Sequence, residues 1–192
     1  MRLRQRIIEE RFGNHRDPSL QHTDYPDLPL VLVVDMELVI FIGLQASGKS
    51  TFFRQKFAAT HEQVSKDLMR NNKNRARRQA QLIEAALQAG RSVVVDNTNP
   101  TVKERAVLIQ LGKTYGAKTI GYYFESQVTD CLKRNTLRSG KARVPDVAIY
   151  TTIKKLERPS YGEGFDKLFD VKIAGSGIFE ICPQTDLEVG NG

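Results

Sequence analysis

The run Leu38-Val39-Ile40-Phe41-Ile42 leads into Gly43-Leu44-Gln45-Ala46-Ser47-Gly48-Lys49-Ser50-Thr51, and Phe52-Phe53-Arg54-Gln55-Lys56-Phe57 follows. An apolar, β-branched strand, a loop bounded by two glycines and a helix opening on Lys-Ser satisfy every fixed position of the phosphate-binding pattern GxxxxGK[ST]. They do so in the strand–loop–helix context that gives the pattern meaning. The residue types follow from the chemistry. Glycine lets the backbone curl until several N–H groups point inward at phosphate oxygens, and the helix N-terminus adds the positive end of its dipole. Lys49 is expected to reach the β- and γ-phosphates and the Ser50 hydroxyl to ligate Mg²⁺. Residues Gly43 to Thr51 are therefore expected to bind a nucleoside triphosphate.

Outward from that loop the punctuation is that of an α/β domain. The loop strand is predicted over 37–42 and its helix over 49–59, followed by a short strand near 63–65. A long helix is predicted over 72–89, apolar at Ala76, Ala80, Ile83 and Leu87 and closed by Gly90. Ser92 to Asp96 reads as a buried parallel strand without polar alternation. Asn99-Pro100 is expected to open another helix, with proline at its first position. Further segments are a strand over 118–124, a helix over 127–138, a basic flexible loop over 139–144, a helix over 146–157 and a last strand over 169–173. Strands alternating with helices at this spacing predict a parallel sheet with helices on both faces. The domain is expected over 36–183 and a frayed tail over 184–192. Residues 1–35 read as an N-terminal extension: a basic helix to Phe12, a proline-rich linker, then Leu30 to Val34 as an edge strand or docking arm. Met36 stands where the fold begins and is a candidate start.

With 192 residues, 40% of them hydrophobic and 27% charged, the chain reads as an ordinary globular protein. A net charge of +7 favours a polyanionic partner, of which nucleotide phosphates account for part. Cys131 and Cys182 have no metal-ligand spacing and are expected to be buried, reduced thiols of a cytoplasmic protein. His15, His22 and His61 form no cluster and read as surface residues. No stretch reads as a membrane span, and nothing speaks to oligomeric state.

Two carboxylates end predicted strands at the carboxyl edge of the sheet, where open α/β folds bind ligands. Asp96 suits a group that positions Mg²⁺ beside Ser50; a turn-capping aspartate is the alternative. Asn97 follows it, where hydrolytic ATPases carry a water-activating glutamate, which argues against hydrolysis as the purpose. Asp67 can accept the proton of an attacking hydroxyl, or it can be an ordinary helix N-cap. Lys66, Arg70, Lys73 and Arg77 recur at helical spacing, thickened by Arg75 and Arg78. They are either a solvated face or a phosphate-backbone track, with Arg70 best placed to face substrate. Arg134 and Arg138, four apart on a predicted helix before the basic loop, are expected to project together from a lid onto a transferring phosphoryl group. Plain solvent exposure is the alternative.

The chain resembles the kinase domain of the polynucleotide 5′-hydroxyl kinases within the P-loop kinase superfamily. GLQASGKSTFFRQKF, VSKD ending at Asp67, GRSVVVDNTNP ending at Pro100, KRNTLRSGKARVP from Lys133 and ERPSYGEGF from Glu157 carry the likeness, over about residues 37–173. The resemblance implies a three-layer fold with a parallel sheet of about five strands and a basic lid. It implies ATP and Mg²⁺ as cofactors and a DNA or RNA end as partner. Residue by residue it implies Asp67 as general base, Lys49 on the γ-phosphate, Arg134 and Arg138 as lid arginines, and Arg70, Asn97 and Thr98 toward substrate. Ser50 and Asp96 would sit at the metal. Ser65-Lys66 departs from the Asn-Arg that the family often has before its aspartate. The DxDxT pattern of the family's phosphatase partner is absent, so only 5′ phosphorylation is expected of this sequence. Two competing readings remain at this level: a kinase for a small sugar, nucleoside or antibiotic hydroxyl, and a nucleotide-binding adaptor that transfers nothing.

Overall fold

The computed structural model describes residues 36–69, 71–174 and 177–185. The expectations for residues 1–35, for Arg70 and for the tail beyond residue 185 lie outside them. One sheet organises the rest. Its strands are β1 (Glu37–Ile42), β2 (Glu62–Val64), β3 (Val93–Val95), β4 (Lys118–Phe124), β5 (Lys167–Ile173) and β6 (Phe179–Pro183), in the order β2-β3-β1-β4-β5-β6. The first five in that order run parallel, and β6 closes the edge antiparallel to β5. The helices are α1 (Lys49–Lys56), α2 (Arg75–Gln88), α3 (Val102–Thr114), α4 (Val128–Thr136) and α5 (Asp146–Ile153). None of the described helices is long and apolar enough to cross a membrane.

The central strand explains why the fold forms. Leu38 to Ile42 are fully buried, as an uninterrupted apolar strand must be when both faces are covered. Leu38, Ile40 and Ile42 pack with Ile83 and Leu87 of α2 and Leu108 and Ile109 of α3. Val39 and Phe41 face the other way, onto Phe52, Phe53 and Phe57 at and beyond α1. The phenylalanines that follow the glycine loop are thus the far wall of the core. Phe41, Phe52, Phe57 and Phe124 meet in tilted and edge-to-face pairs 5.3–5.8 Å apart. A smaller cluster seats Leu44 of the loop on Cys131 of α4 and Ile149 of α5.

Several expectations are corrected. The sheet gains a sixth strand: Phe179 to Pro183 pairs with β5, a short strand whose terminal proline suits an edge. Gln184, expected to fray, donates from its amide to the Leu168 carbonyl and from its side chain to Asp170. The helix after β3 begins at Val102, capped by Thr101, rather than at Pro100. Asn99 takes a left-handed φ of 41° and donates to the Phe41 carbonyl at 2.8 Å, which holds Pro100 in the loop. Lys66 to Met69 form a 3-10 turn, and α2 starts at Arg75 on an Asn74 cap. Lys66 and Arg77 therefore do not share one helical stripe. Along α2 the buried line is Gln79, Ile83, Ala86 and Leu87, with Ala76 exposed. Cys182 is exposed, unlike Cys131. The His61 ring is tucked against Glu37 at 3.2 Å with its side chain 9% exposed, not on the surface.

Candidate active site

The loop curls as its sequence requires. Gly43 and Gly48 adopt φ of 146° and 96°, the region glycine alone enters without strain. A Cβ on Gly43 would meet Phe124 at 3.0 Å, and one on Gly48 would meet Ile173 at 2.9 Å and Phe179 at 3.0 Å. Both are steric reasons for glycine beyond the backbone angle. Ala46, also left-handed at 59°, turns its carbonyl to the Arg134 Nε, which donates at 2.7 Å. The Gly43 amide donates to the Thr98 carbonyl at 3.0 Å, so the loop is tied to the end of β3. The amides of Gly48, Lys49 and Ser50 have no acceptor among the described residues, the arrangement that receives an anion at a helix start.

Lys49 is buried, and its ammonium donates to the Gly43 carbonyl at 3.1 Å, the Leu44 carbonyl and the Ser47 hydroxyl at 3.2 Å. Burial lowers its pKa to about 8, with the negative charge of Asp96 opposing the shift. Phosphate oxygens would supply the counter-charge that the protein withholds. The Ser50 hydroxyl donates to Asp96 Oδ2 at 2.8 Å, and Gln63 Nε2 donates to the same oxygen at 2.8 Å. The Ser50 proton thus faces Asp96 and its lone pairs are turned elsewhere. Hydroxyl and carboxylate side by side are the hard oxygen donors Mg²⁺ takes. The described residues include no group of three or more His, Cys, Asp or Glu that could hold a metal by themselves.

After β2, Asp67 stands exposed on the 3-10 turn, its amide donating to Ser65 Oγ at 3.3 Å. Asp67 lines a cavity of about 480 Å³ together with Gln45 to Thr51, Asp96, Asn97, Thr98 and Arg138. Of the residues expected from sequence, Gly43 and Leu44 support the loop from beneath and do not line the cavity. The Asn97 side chain is engaged within the fold: its Oδ1 accepts from the Lys66 amide at 2.9 Å, and its Nδ2 donates to Gln79 Oε1 at 2.8 Å.

The lid arginines are corrected in their geometry. Helix α4 ends at Thr136, so Arg138 lies beyond it, on the cavity, with Nη1 donating to the Ala142 carbonyl at 3.5 Å. Arg134 does not project with it. Its guanidinium bonds to the Ala46 carbonyl and to Cys131 Sγ, bracing the loop from α4. Asn135, fully buried, clamps the far end of the basic 139–144 segment through paired bonds with the Val144 amide and carbonyl.

Sequence reasoning missed Arg54, which lines the cavity, Gln63 on Asp96, and Gln79 behind Asn97. It also missed Arg105, fully buried, whose guanidinium pairs with Glu163 at 2.7 Å and donates to the carbonyls of Asn99, Pro100 and Glu157. None of these carries a motif signal, and Gln63, Gln79 and Arg105 each work through a partner distant in sequence.

A strand order with β1 between β3 and β4, a glycine loop leading into α1 and a carboxylate at the end of β3 define a nucleotide-binding domain with the P-loop kinase fold. The chain belongs to the AAA domain family, whose model matches residues 38–159. It is similar to a bifunctional polynucleotide phosphatase/kinase of Schizosaccharomyces pombe, 25% identical over 142 residues, which are 70% of this chain and 33% of that protein. The chain spans about a third of the length of the curated relatives it matches. Among solved structures, a gluconokinase from Sinorhizobium meliloti 1021 superposes with a TM-score of 0.54 at 18% identity, over 73% of this chain and 84% of its own. A fungal RNA kinase superposes with a TM-score of 0.56 at 17% identity, over 71% of this chain and 38% of its own. These structural likenesses establish the fold.

Proposed function

We propose that this chain is an ATP-dependent phosphotransferase whose acceptor is the 5′-hydroxyl end of a polynucleotide. The observation that carries the reading is the pair of carboxylates on one cleft. Asp96 is bonded to Ser50 and Gln63, on the donor side. Asp67, exposed on the turn after β2, lines the same cavity, and a carboxylate there can serve as general base for an entering hydroxyl. The side chain that follows Asp96 is an amide engaged by Lys66 and Gln79 rather than a carboxylate that could activate water.

In this reading the loop amides and Lys49 hold the β- and γ-phosphates, and Gln45 to Thr51 wrap the triphosphate. Ser50 and Asp96 would hold Mg²⁺, which when bound neutralises charge on the phosphate oxygens. Asp67 takes the proton of the acceptor hydroxyl as its oxygen attacks the γ-phosphorus. The bond to the β–γ bridging oxygen breaks, and ADP leaves with that electron pair. Arg138 offsets the charge spread over the transferring group, while Arg134 acts on the shape of the loop at Ala46. Thr98, which lines the cavity, and Arg70 are proposed as contacts to the substrate.

A polynucleotide acceptor is supported by the cations that lead away from Asp67. Arg75, Arg77 and Arg78 are exposed in the first turns of α2, with no acidic residue in the first turn. Among the described residues they make no ion pair. Likeness to the S. pombe relative points the same way. The test is transfer of label from γ-labelled ATP to a panel of 5′-hydroxyl DNA and RNA oligonucleotides, nucleosides and sugars. Label on oligonucleotides, lost in Asp67→Asn with nucleotide affinity kept, is the expected result. Label only on a small hydroxyl compound would replace the acceptor, and label on nothing would leave a nucleotide-binding adaptor.

A further inference from the structure

Gln79 is an anomaly on its helix. It stands on the buried line that Ile83, Ala86 and Leu87 continue, and it is only 6% exposed. An amide in that position is destabilising unless its polar atoms are bonded. Its Oε1 accepts from Asn97 Nδ2 at 2.8 Å, and Asn97 Oδ1 accepts from the Lys66 amide at 2.9 Å. The direction of this chain is fixed by elementary donor–acceptor logic. A backbone N–H can only donate, so Asn97 must turn its oxygen to Lys66 and its NH₂ to Gln79, which must then present its oxygen. An apolar residue at 79 would leave the Asn97 NH₂ unsatisfied and its side chain held by the Lys66 bond alone.

What the chain ends on matters. Lys66 immediately precedes Asp67, so Asn97 sets the register of the turn that carries the proposed base. Three consecutive residues serve three parts of the site. Asp96 accepts from Ser50, Asn97 holds the turn before Asp67, and the Thr98 carbonyl holds the Gly43 amide. Gln79 anchors the middle one from a helix whose N-terminal turn bears Arg75, Arg77 and Arg78.

We propose that Gln79 is a positioning residue for the acceptor side. Through Asn97 it fixes the Asp67 turn relative to the phosphate loop, and it joins that turn and the basic end of α2 into one unit. The proposal rests on the reading of Asp67 as the base that accepts the hydroxyl proton.

Two readouts test it on the full chain. Gln79→Met removes the acceptor oxygen at similar volume, and Gln79→Glu keeps an oxygen facing Asn97. In the Met variant kcat for phosphate transfer falls on the order of ten- to a hundredfold, the scale of a misplaced reacting group, while KM for ATP is unchanged. The Glu variant recovers most of that loss. Independently of turnover, amide hydrogen exchange in the Met variant rises over residues 64–69 and not over 43–57. Wild-type kcat and wild-type exchange at 64–69 in the Met variant would overturn the proposal. So would a loss of nucleotide affinity equal to the loss of kcat, which marks a general structural role. If the wild-type protein labels no hydroxyl compound, the reading of Asp67 fails, and the exchange experiment still decides whether Gln79 holds the turn.

Discussion

The two walls of the cleft are built in different ways. On the donor wall the backbone does most of the work: glycine torsions, helix amides and a fully buried strand fix the phosphate loop, with Lys49 sealed beneath it. The acceptor wall is a one-turn 3-10 segment held by side chains, Ser65 and Asn97 with Gln79 behind, and its aspartate is exposed. A wall made of backbone tolerates little change in shape, whereas a wall made of side chains can be altered one residue at a time. On the proposed function, donor chemistry and acceptor choice are then separable.

The largest effects should fall on a pair of substitutions that breaks or upholds that separation. Lys49→Met is expected to lower transfer by about 10²- to 10³-fold and to weaken nucleotide binding with it. Asp67→Asn should lower transfer by about 10²- to 10⁴-fold with nucleotide affinity preserved, measured by label transfer and by calorimetric titration of ATP. If the Asp67 variant loses nucleotide affinity as the Lys49 variant does, the walls are one unit.

Next in size is Arg105→Met. Arg105 holds the carbonyls of Asn99 and Pro100, just past the residues that serve the cleft, and pairs with Glu163, whose side chain is 6% exposed. Truncating it leaves a buried carboxylate without its partner, at a cost of about 3–5 kcal/mol. Equilibrium denaturation should register that loss as a lower midpoint. A cost below about 1 kcal/mol would mean that the loop stands without its buried arginine.

This contrast also explains what could be read from sequence. Gly43 to Ser50 is legible because backbone requirements restrict which residues can stand at fixed spacings, and Asp96 because it ends a recognisable strand. β1 and β3 follow from the uninterrupted apolar runs Leu38 to Ile42 and Val93 to Val95. β6 escaped because Phe179 alone packs inward while Ile181 is exposed, so no alternation signals a strand before the pairing with β5 is known. Gln63, Gln79 and Arg105 escaped for another reason. A polar residue in a helix or strand has no signature of burial until its distant partner is brought to it. Helix α3 was expected two residues early because Pro100 at a first helical position is locally favourable. Asn99 on the Phe41 carbonyl and Arg105 on the loop override that preference. Arg134 and Arg138 were paired by helical spacing, but α4 ends between them.

A pH experiment sharpens the comparison from the donor side. Without nucleotide, burial holds Lys49 at about 8, below its ordinary 10.5, and bound phosphates favour the charged form and raise it again. Binding should therefore take up a proton above pH 8, and nucleotide affinity should fall as pH rises through that value, by up to about tenfold per pH unit. Calorimetry in buffers of differing ionisation enthalpy reads the proton directly. Folding of the nucleotide-free protein moves oppositely. Between about 8 and 10.5 the unfolded chain binds more protons at this lysine than the folded one, so this group's contribution to stability rises with pH there. Lys49→Met should abolish the proton uptake, and Asp67→Asn should leave it intact.

The smallest effect tests the acceptor wall, and its sign is the informative part. Arg75, Arg77 and Arg78 stand at the N-terminal end of α2, where the helix dipole disfavours positive charge, and the first turn has no acidic residue to compensate. A purely solvated face would gain nothing from that arrangement. A phosphate track would, because each neutralised phosphate releases counterions. Arg75→Ala should accordingly raise helix stability by about 0.3–1 kcal/mol, through the dipole as well as alanine's helix propensity. It should also weaken oligonucleotide binding and reduce the slope of log affinity against log salt by about 0.7 for a single strand. Nucleotide affinity should not move. Stability and oligonucleotide affinity changing in opposite directions is what a surface kept for a polyanion predicts. A gain in stability with an unchanged salt slope would return these arginines to plain solvent.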